Sequence, residues 1–259
     1  MREVIDEYDP EYCHSLEAVY GKGMMSEGGA EGIDFMFKDL PIQGKKALDI
    51  GCGLGGVAYH LATKYEMDVT GLEINSWMVK EAERNTPAEI KPRLTFVLST
   101  NNASLPFEND SFDIVYSKGV LCHVENKREL FKECHRILKP GGLLVINDWL
   151  SPTKGKWGGY VQRLVELEGL SLYAESIEGY LEVLGEAQFT DVEVLDLTEK
   201  YAQYNEEIVR ELKKPEKEEA FIRSFSQQLH KEAIEGYDAI ARAMRTGEGL
   251  VTQFTAIKR

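Results

Sequence analysis

Nine residues, LDIGCGLGG from Leu48 to Gly56, constrain this chain more than any others. A short apolar run closes on Asp49 and Ile50, and Gly51, Gly53 and Gly55 then fall within five positions ahead of a helix-compatible segment. Glycine has no Cβ, so the backbone can turn sharply off a strand, take positive φ and admit a ligand close to its own atoms. The helix that follows points unpaired N–H groups at that ligand. The string predicts a strand, a nucleotide-binding turn and a helix.

From Lys46 onward the rhythm is regular. Strand-like runs (ALDIG, DVTGLEI, LTFVLS, SFDIVYS, LLVINDW) alternate with helical periods (GGVAYHLATKY, SWMVKEAERN, RELFKECHRIL), and KPGG at Lys139 to Gly142 reads as a breaker before the fifth strand. Short apolar runs alternating with helices mean βαβ units and a parallel sheet. After Trp149 a loop, SPTKGKWGG, leads into a helical stretch to about Ala174. A helix (SIEGYLEVLGEA) and a strand (VEVLDL) follow, then a charged helical segment over 199–246 broken once near Pro215, and a closing strand, LVTQFTAIK. The expected fold is α/β, a seven-stranded, mostly parallel, doubly wound Rossmann-like sheet with a helical cap. Its parts are an N-terminal lid over 1–45, a ligand-binding core over 46–150, cap segments over 151–175 and 199–246, and remaining sheet elements over 176–198 and 247–259.

The chain holds 30 Lys plus Arg against 44 Asp plus Glu, a net charge of -14. That balance disfavours nucleic acid and anionic membrane surfaces as partners and suits a small cationic or zwitterionic substrate. The four cysteines, Cys13, Cys52, Cys122 and Cys134, form no CxxC pair, so they read as reduced thiols and not as a metal site. The acidic start, MREVIDEYDP, has neither a secretory nor a transit signature, and no apolar run has membrane-spanning length. A cytoplasmic protein is expected.

Ligands of open α/β sheets bind outside the carboxyl ends of the strands, where strand order reverses. The distinctive residues fall at such ends. The first strand closes on Asp49 and the glycine turn; the second on Glu73 and Ile74, where an acid about 20 residues beyond the glycines can bond a ribose. The third leads to Asn101 and Asn102, which can read an adenine edge or simply form a turn. The fourth closes on Ser117 and Lys118, with His123 in the loop beyond. A nicotinamide dehydrogenase shares the glycine spacing, but Asp49, the Asn pair and LPFENDSFDIVYS point elsewhere.

Those ordered strings resemble the class I S-adenosylmethionine-dependent methyltransferases: LDIGCGLGG their first motif, Glu73 their ribose acid, LPFENDSFD the approach to the fourth strand, FKECHRILKPGGLLVIND the closing motif. The resemblance covers 46–150 and implies S-adenosyl-L-methionine as cofactor. One departure stands out: Asn101 occupies the place of the usual adenine-reading Asp. A narrower resemblance, carried by EYDPEY, VYGKGMMSEGG and SKGVLCHV, is to the phosphoethanolamine and related small-amine N-methyltransferases. It implies a catalytic dyad of Tyr8 and His123, with Ser26 and its neighbour Met25 at the amino-acid end of the cofactor.

An amine attacks the methyl carbon only when unprotonated, and a neutral histidine can take the proton at neutral pH. The acceptor is expected to be a small amine, either phosphoethanolamine-like or glycine- and sarcosine-like. The resemblance implies basic and tyrosine phosphate anchors near Leu170, Leu172 and Ile240, yet these positions are apolar. Trp149, Tyr160, Arg163 and Tyr173 are the candidate substrate-binding residues in their stead. Rival readings are C- or O-methylation of a quinone-like or lipid-like acceptor, and a non-catalytic cofactor-binding module.

Overall fold

Residues 8–99 and 104–259 are described by the computed structural model. The first elements are α1 (Pro10–Tyr20), capped by the Asp9 carboxylate on the Tyr12 amide, and α2 (Gly29–Met36). The alternating region then runs β1 (Lys46–Ile50), α3 (Gly56–Tyr65), β2 (Asp68–Glu73), α4 (Ser76–Asn85), β3 (Leu94–Leu98), β4 (Phe112–Lys118), α5 (Lys127–Ile137) and β5 (Leu138–Leu150). The remainder is α6 (Gly159–Glu168), α7 (Ile177–Glu186), β6 (Phe189–Asp196), α8 (Thr198–Leu212), α9 (Pro215–Ser224), α10 (Gln227–Thr246) and β7 (Leu250–Lys258).

The sheet order is β3-β2-β1-β4-β5-β7-β6. The first five strands pair in parallel, and β7 inserts antiparallel to both β5 and β6. Order reverses between β1 and β4, so the crevice at their carboxyl ends is the place where such a sheet binds its ligand. Parallel strands bury both faces, which is why consecutive residues are apolar. Leu48, Val115 and Ile146 point into the core beneath α5 and α7, while their neighbours Ala47, Ile114 and Val145 point into the core beneath α2 and α3. A third core, around Leu164, Tyr201, Phe221, Tyr237 and Ile240, joins the cap helices to α1 through Val19 and Tyr20.

Three expectations about elements need correction. KPGG does not precede β5; it bulges within it, where pairing jumps from Phe112↔Leu138 to Ile114↔Leu143, since Pro140 has no N–H to give the ladder. The helix after SPTKGKWGG ends at Glu168, capped by Gly169, and not near Ala174. The segment 199–246 breaks twice: before Pro215, and again at Ser226, whose hydroxyl accepts from the Leu229 amide and starts α10. Among the described residues no helix is long and apolar enough to cross a membrane.

Candidate active site

The glycine turn lies at the carboxyl end of β1, as its sequence predicts. Gly51 sits at φ 73°, and a Cβ added there would meet Val120 Cγ1 at 2.3 Å. Only glycine lets the turn pass beneath the loop that follows β4. From above, the glycine-rich loop of 21–28 docks on the start of α3: the Gly56 amide donates to the Gly23 carbonyl at 2.9 Å. Neither partner has room for a side chain, since a Cβ on Gly56 would meet the Gly23 carbonyl carbon at 2.4 Å. Glu17 of α1 holds this loop by accepting from the Gly23 amide at 2.6 Å.

The cleft so framed is lined by Gly51, Gly53, Glu73, Ile74, Met25, Ser26, Tyr8 and His123, all anticipated, and also by Asn75, Met78, Ser99 and Lys118. Glu73 is buried at its rim. Its carboxylate accepts from the Gly53 amide at 2.9 Å, the Ile74 amide at 2.8 Å and the Asn75 amide at 3.0 Å. Burial pushes this carboxyl up and the three amides pull it down. Asn75 caps α4 through its side chain and reaches the Tyr8 carbonyl at 3.5 Å.

A second chamber adjoins the cleft beneath the cap. Tyr8, Met25, Ser26, Gly119 and His123 border both spaces. The rest of the chamber wall is Tyr12, Leu16, Tyr20, Glu27, Cys122, Trp149, Leu164, Leu170, Leu172, Tyr237 and Ile240. His123 stands at the junction. Its Nδ1 lies 3.0 Å from the Ser171 carbonyl, which can only accept, so Nδ1 carries the proton in the neutral ring. Nε2 is then an acceptor, 3.0 Å from the Tyr8 hydroxyl. Segment 170–174 is fixed against this turn by the Tyr173 amide donating to the Cys122 carbonyl at 2.7 Å, and by Trp157 Nε1 donating to the Leu172 carbonyl at 3.0 Å.

Several anticipated residues are not at either space. Asp49 is buried under the turn, beside Tyr116, and burial pushes its carboxyl up to about 7, with the Tyr116 hydroxyl opposing and Glu73 adding. Ser117 is fully buried and donates to the Ile50 carbonyl at 2.9 Å, stitching β4 to β1. Of the four substrate candidates only Trp149 lines the chamber. Arg163 lies on the outer face of α6 and donates to Glu235 at 2.8 Å, because a guanidinium without a buried anion turns to solvent. Tyr160 begins α6 beside Glu248, its amide donating to that carboxylate at 3.1 Å, and Tyr173 is exposed. Asn101 and Asn102 lie outside the described residues.

Lys118, a strand-end residue in the sequence, has partners in the lid loop that the sequence does not announce. Lys118, at the end of β4, donates to Ser26 Oγ and to the Glu27 carbonyl, both at 2.7 Å. It thereby pins the lid loop to the sheet. Burial lowers its ammonium to about 8 against the raising influence of Glu27. Glu27 is 4% exposed, and burial pushes its carboxyl up while Lys118 opposes.

Residues 48–146 match the model of a methyltransferase domain. Over 224 residues the chain is 30% identical to phosphoethanolamine N-methyltransferase 1 of Arabidopsis thaliana, covering 85% of this chain and 44% of that protein. It is 29% identical over 226 residues to the phosphoethanolamine N-methyltransferase of Plasmodium falciparum, covering 86% and 82%. The chain thus spans about half the length of the plant relatives it matches. Its fold superposes on Haemonchus contortus phosphoethanolamine N-methyltransferase 2, solved with phosphomonomethylethanolamine and S-adenosylhomocysteine. That match has a TM-score of 0.88 at 24% identity and covers 97% of this chain and 58% of that one. The fold of a Galdieria sulphuraria protein assigned by similarity as a sarcosine dimethylglycine methyltransferase gives a TM-score of 0.73 at 20% identity, covering 88% of this chain and 84% of that one.

Proposed function

We propose that this chain, which carries a methyltransferase domain over 48–146, moves a methyl group from S-adenosylmethionine to the nitrogen of a small amine. The observation that carries the reading is His123, held by two hydrogen bonds where the strand-end cleft adjoins the cap chamber. The cleft fits the cofactor. The glycine turn leaves main chain bare where a nucleoside would lie, and Glu73 offers a buried carboxylate about 20 residues on, where this kind of sheet bonds a ribose. Bound there, S-adenosylmethionine supplies an electrophilic methyl on its sulfonium.

The chain's own residues do the rest. Tyr8 and the loop of 21–28 close the cleft, and so keep water from the reacting centre and hold the acceptor in line. The proton leaving the amine nitrogen has a prepared route. The Tyr8 oxygen receives it as the Tyr8 hydroxyl proton passes to His123 Nε2, and the Ser171 carbonyl stabilises the imidazolium through Nδ1–H. Ser26, bordering both spaces and bonded to Lys118, would meet the amino-acid end of the cofactor.

The test separates binding from transfer. Tyr8→Phe and His123→Ala are expected to lower kcat for a secondary amine by roughly 100-fold or more, the usual contribution of a positioned acid or base. S-adenosylhomocysteine affinity by calorimetry should change less than about threefold. Unchanged turnover in both variants overturns the dyad's role; absence of cofactor binding overturns the reading itself.

A further inference from the structure

The chamber under the cap has a wall chemistry of its own. Tyr8, Tyr12, Tyr20, Trp149 and Tyr237 give it aromatic faces, and Leu164, Leu170, Leu172 and Ile240 give it apolar ones. Among the described residues its lining includes no lysine or arginine and one carboxylate, Glu27, while the Lys118 ammonium stands behind the lining at Ser26 Oγ. Oε1 of Glu27 has no hydrogen-bond partner among the described residues, although the side chain is more than nine-tenths buried. A buried carboxylate oxygen left unpaired is costly unless a cation or donor meets it. The Lys118 ammonium, bonded to Ser26 Oγ and to the main-chain carbonyl of Glu27, acts on this carboxylate by charge, and the Asn205 side chain bonds it, so the open position is Oε1 alone.

Resting on the amine-acceptor reading above, we propose that Glu27 and the chamber's aromatic rings form a cation site. It holds the acceptor's ammonium head, and the acceptor carries no phosphate or carboxylate. Two physical arguments support this. A phosphate buried against Leu170, Leu172 and Ile240 would keep its charge and find no donor of opposite sign among them, an arrangement that burial strongly disfavours. A methylated ammonium, in contrast, is weakly hydrated and gains from each aromatic face within about 6 Å. The acceptor class is therefore an amine with an uncharged, partly apolar body, whose charge becomes permanent only when its nitrogen is quaternary. Glu27 acts by binding; the proton leaves through Tyr8 and His123.

Three probes of similar shape decide the matter: choline, its neutral carbon isostere 3,3-dimethylbutan-1-ol, and phosphocholine. Each is titrated calorimetrically into the protein with and without saturating S-adenosylhomocysteine. Choline should bind about tenfold or more tightly than the isostere and more tightly than phosphocholine. Glu27→Gln should bring choline to within about twofold of the isostere. Phosphocholine binding tighter than choline, equal binding of choline and isostere, no binding of any probe, or an unchanged ranking in a folded Glu27→Gln protein would each overturn the proposal. The wild-type ranking decides it even where Glu27→Gln does not fold. Failure of S-adenosylhomocysteine to bind strikes the cofactor reading alone, because the ranking in the cofactor-free protein still judges the chamber.

Discussion

The strand-end cleft and the cap chamber meet at His123, yet they are made of different materials. The cleft is organised on main chain, the glycine turn, the ends of β1, β2, β3 and β4 and the start of a helix, with side chains such as Met25, Met78 and His123 at its sides, and it comes from a few short stretches of sequence. The chamber is side chains, brought from α1, the lid loop, β5, α6, segment 170–172 and α10. A wall of backbone tolerates few substitutions because its geometry is the binding site. A wall of side chains can be exchanged residue by residue while the helices stay in place. On the proposed function, the first fixes which cofactor is taken and the second is free to define the acceptor.

That contrast predicts a graded set of outcomes. The largest belongs to Gly51→Ala, where a Cβ would overlap Val120 and force an alanine to φ 73°. Overpacking and left-handed strain together should remove about 3 kcal/mol of stability, read from urea melts, and S-adenosylhomocysteine affinity with it. Val120→Ala added to it should recover part of the loss. A stable, binding-competent Gly51→Ala protein would break the comparison on the cleft side. Next is Leu172→Ala on the chamber wall, expected to raise KM for the acceptor by roughly tenfold, about 1.4 kcal/mol, while cofactor affinity stays within about twofold. Coupled losses of both would show that the two spaces are one.

The smallest effect is expected far from both, at Asp34. This carboxylate accepts from Lys64 Nζ at 2.6 Å and Tyr65 Oη at 2.9 Å and lies 2.7 Å from His60 Nε2, tying α2 to α3. Partial burial raises it, but the bonds from Lys64, His60 and Tyr65 prevail and hold it at about 2. The folded value lies below the unfolded one, so its stabilisation is present above about pH 4 and fades as pH falls through 2. With solvent screening, Asp34→Asn should cost about 1 kcal/mol at neutral pH, less at pH 2, and leave both ligand affinities alone. Thermal melts at the two pH values check the sign.

The same contrast explains what could be seen in the sequence. Gly51, Gly53 and Glu73 are separated by a spacing that the backbone itself imposes, so strand, turn and acid are legible in one dimension. His123 is legible as a residue beyond a strand end, but Tyr8 and its pairing with His123 only through family resemblance, since 115 residues separate two groups that touch. Arg163, Tyr160 and Tyr173 misled because residue type says nothing about direction on a short helix or an exposed loop. Ser117 misled by parity: at the end of β4 it turns inward to Ile50, and its neighbour Lys118 faces the cleft. Glu27, in a glycine-rich loop, carries no spacing signal of its own, and its burial goes with Lys118 drawing that loop onto the sheet. The leucines at 170 and 172 and Ile240 were noted in the sequence as missing anchors; in the structure they share one wall.

The insertion of β7 between β5 and β6 also sets an order of events. β6 is an edge strand whose neighbour is β7, and β7 follows β6 only after α8, α9 and α10. The ladder Leu143↔Ile257 to Leu150↔Leu250 joins segments about a hundred residues apart, a pairing with a large loop to close and hence a slow one. Until it forms, β5 lacks a neighbour on that side and the cap has no floor. The sheet is thus completed late, so a nascent chain could shape its glycine turn well before β7 closes the far half of the sheet.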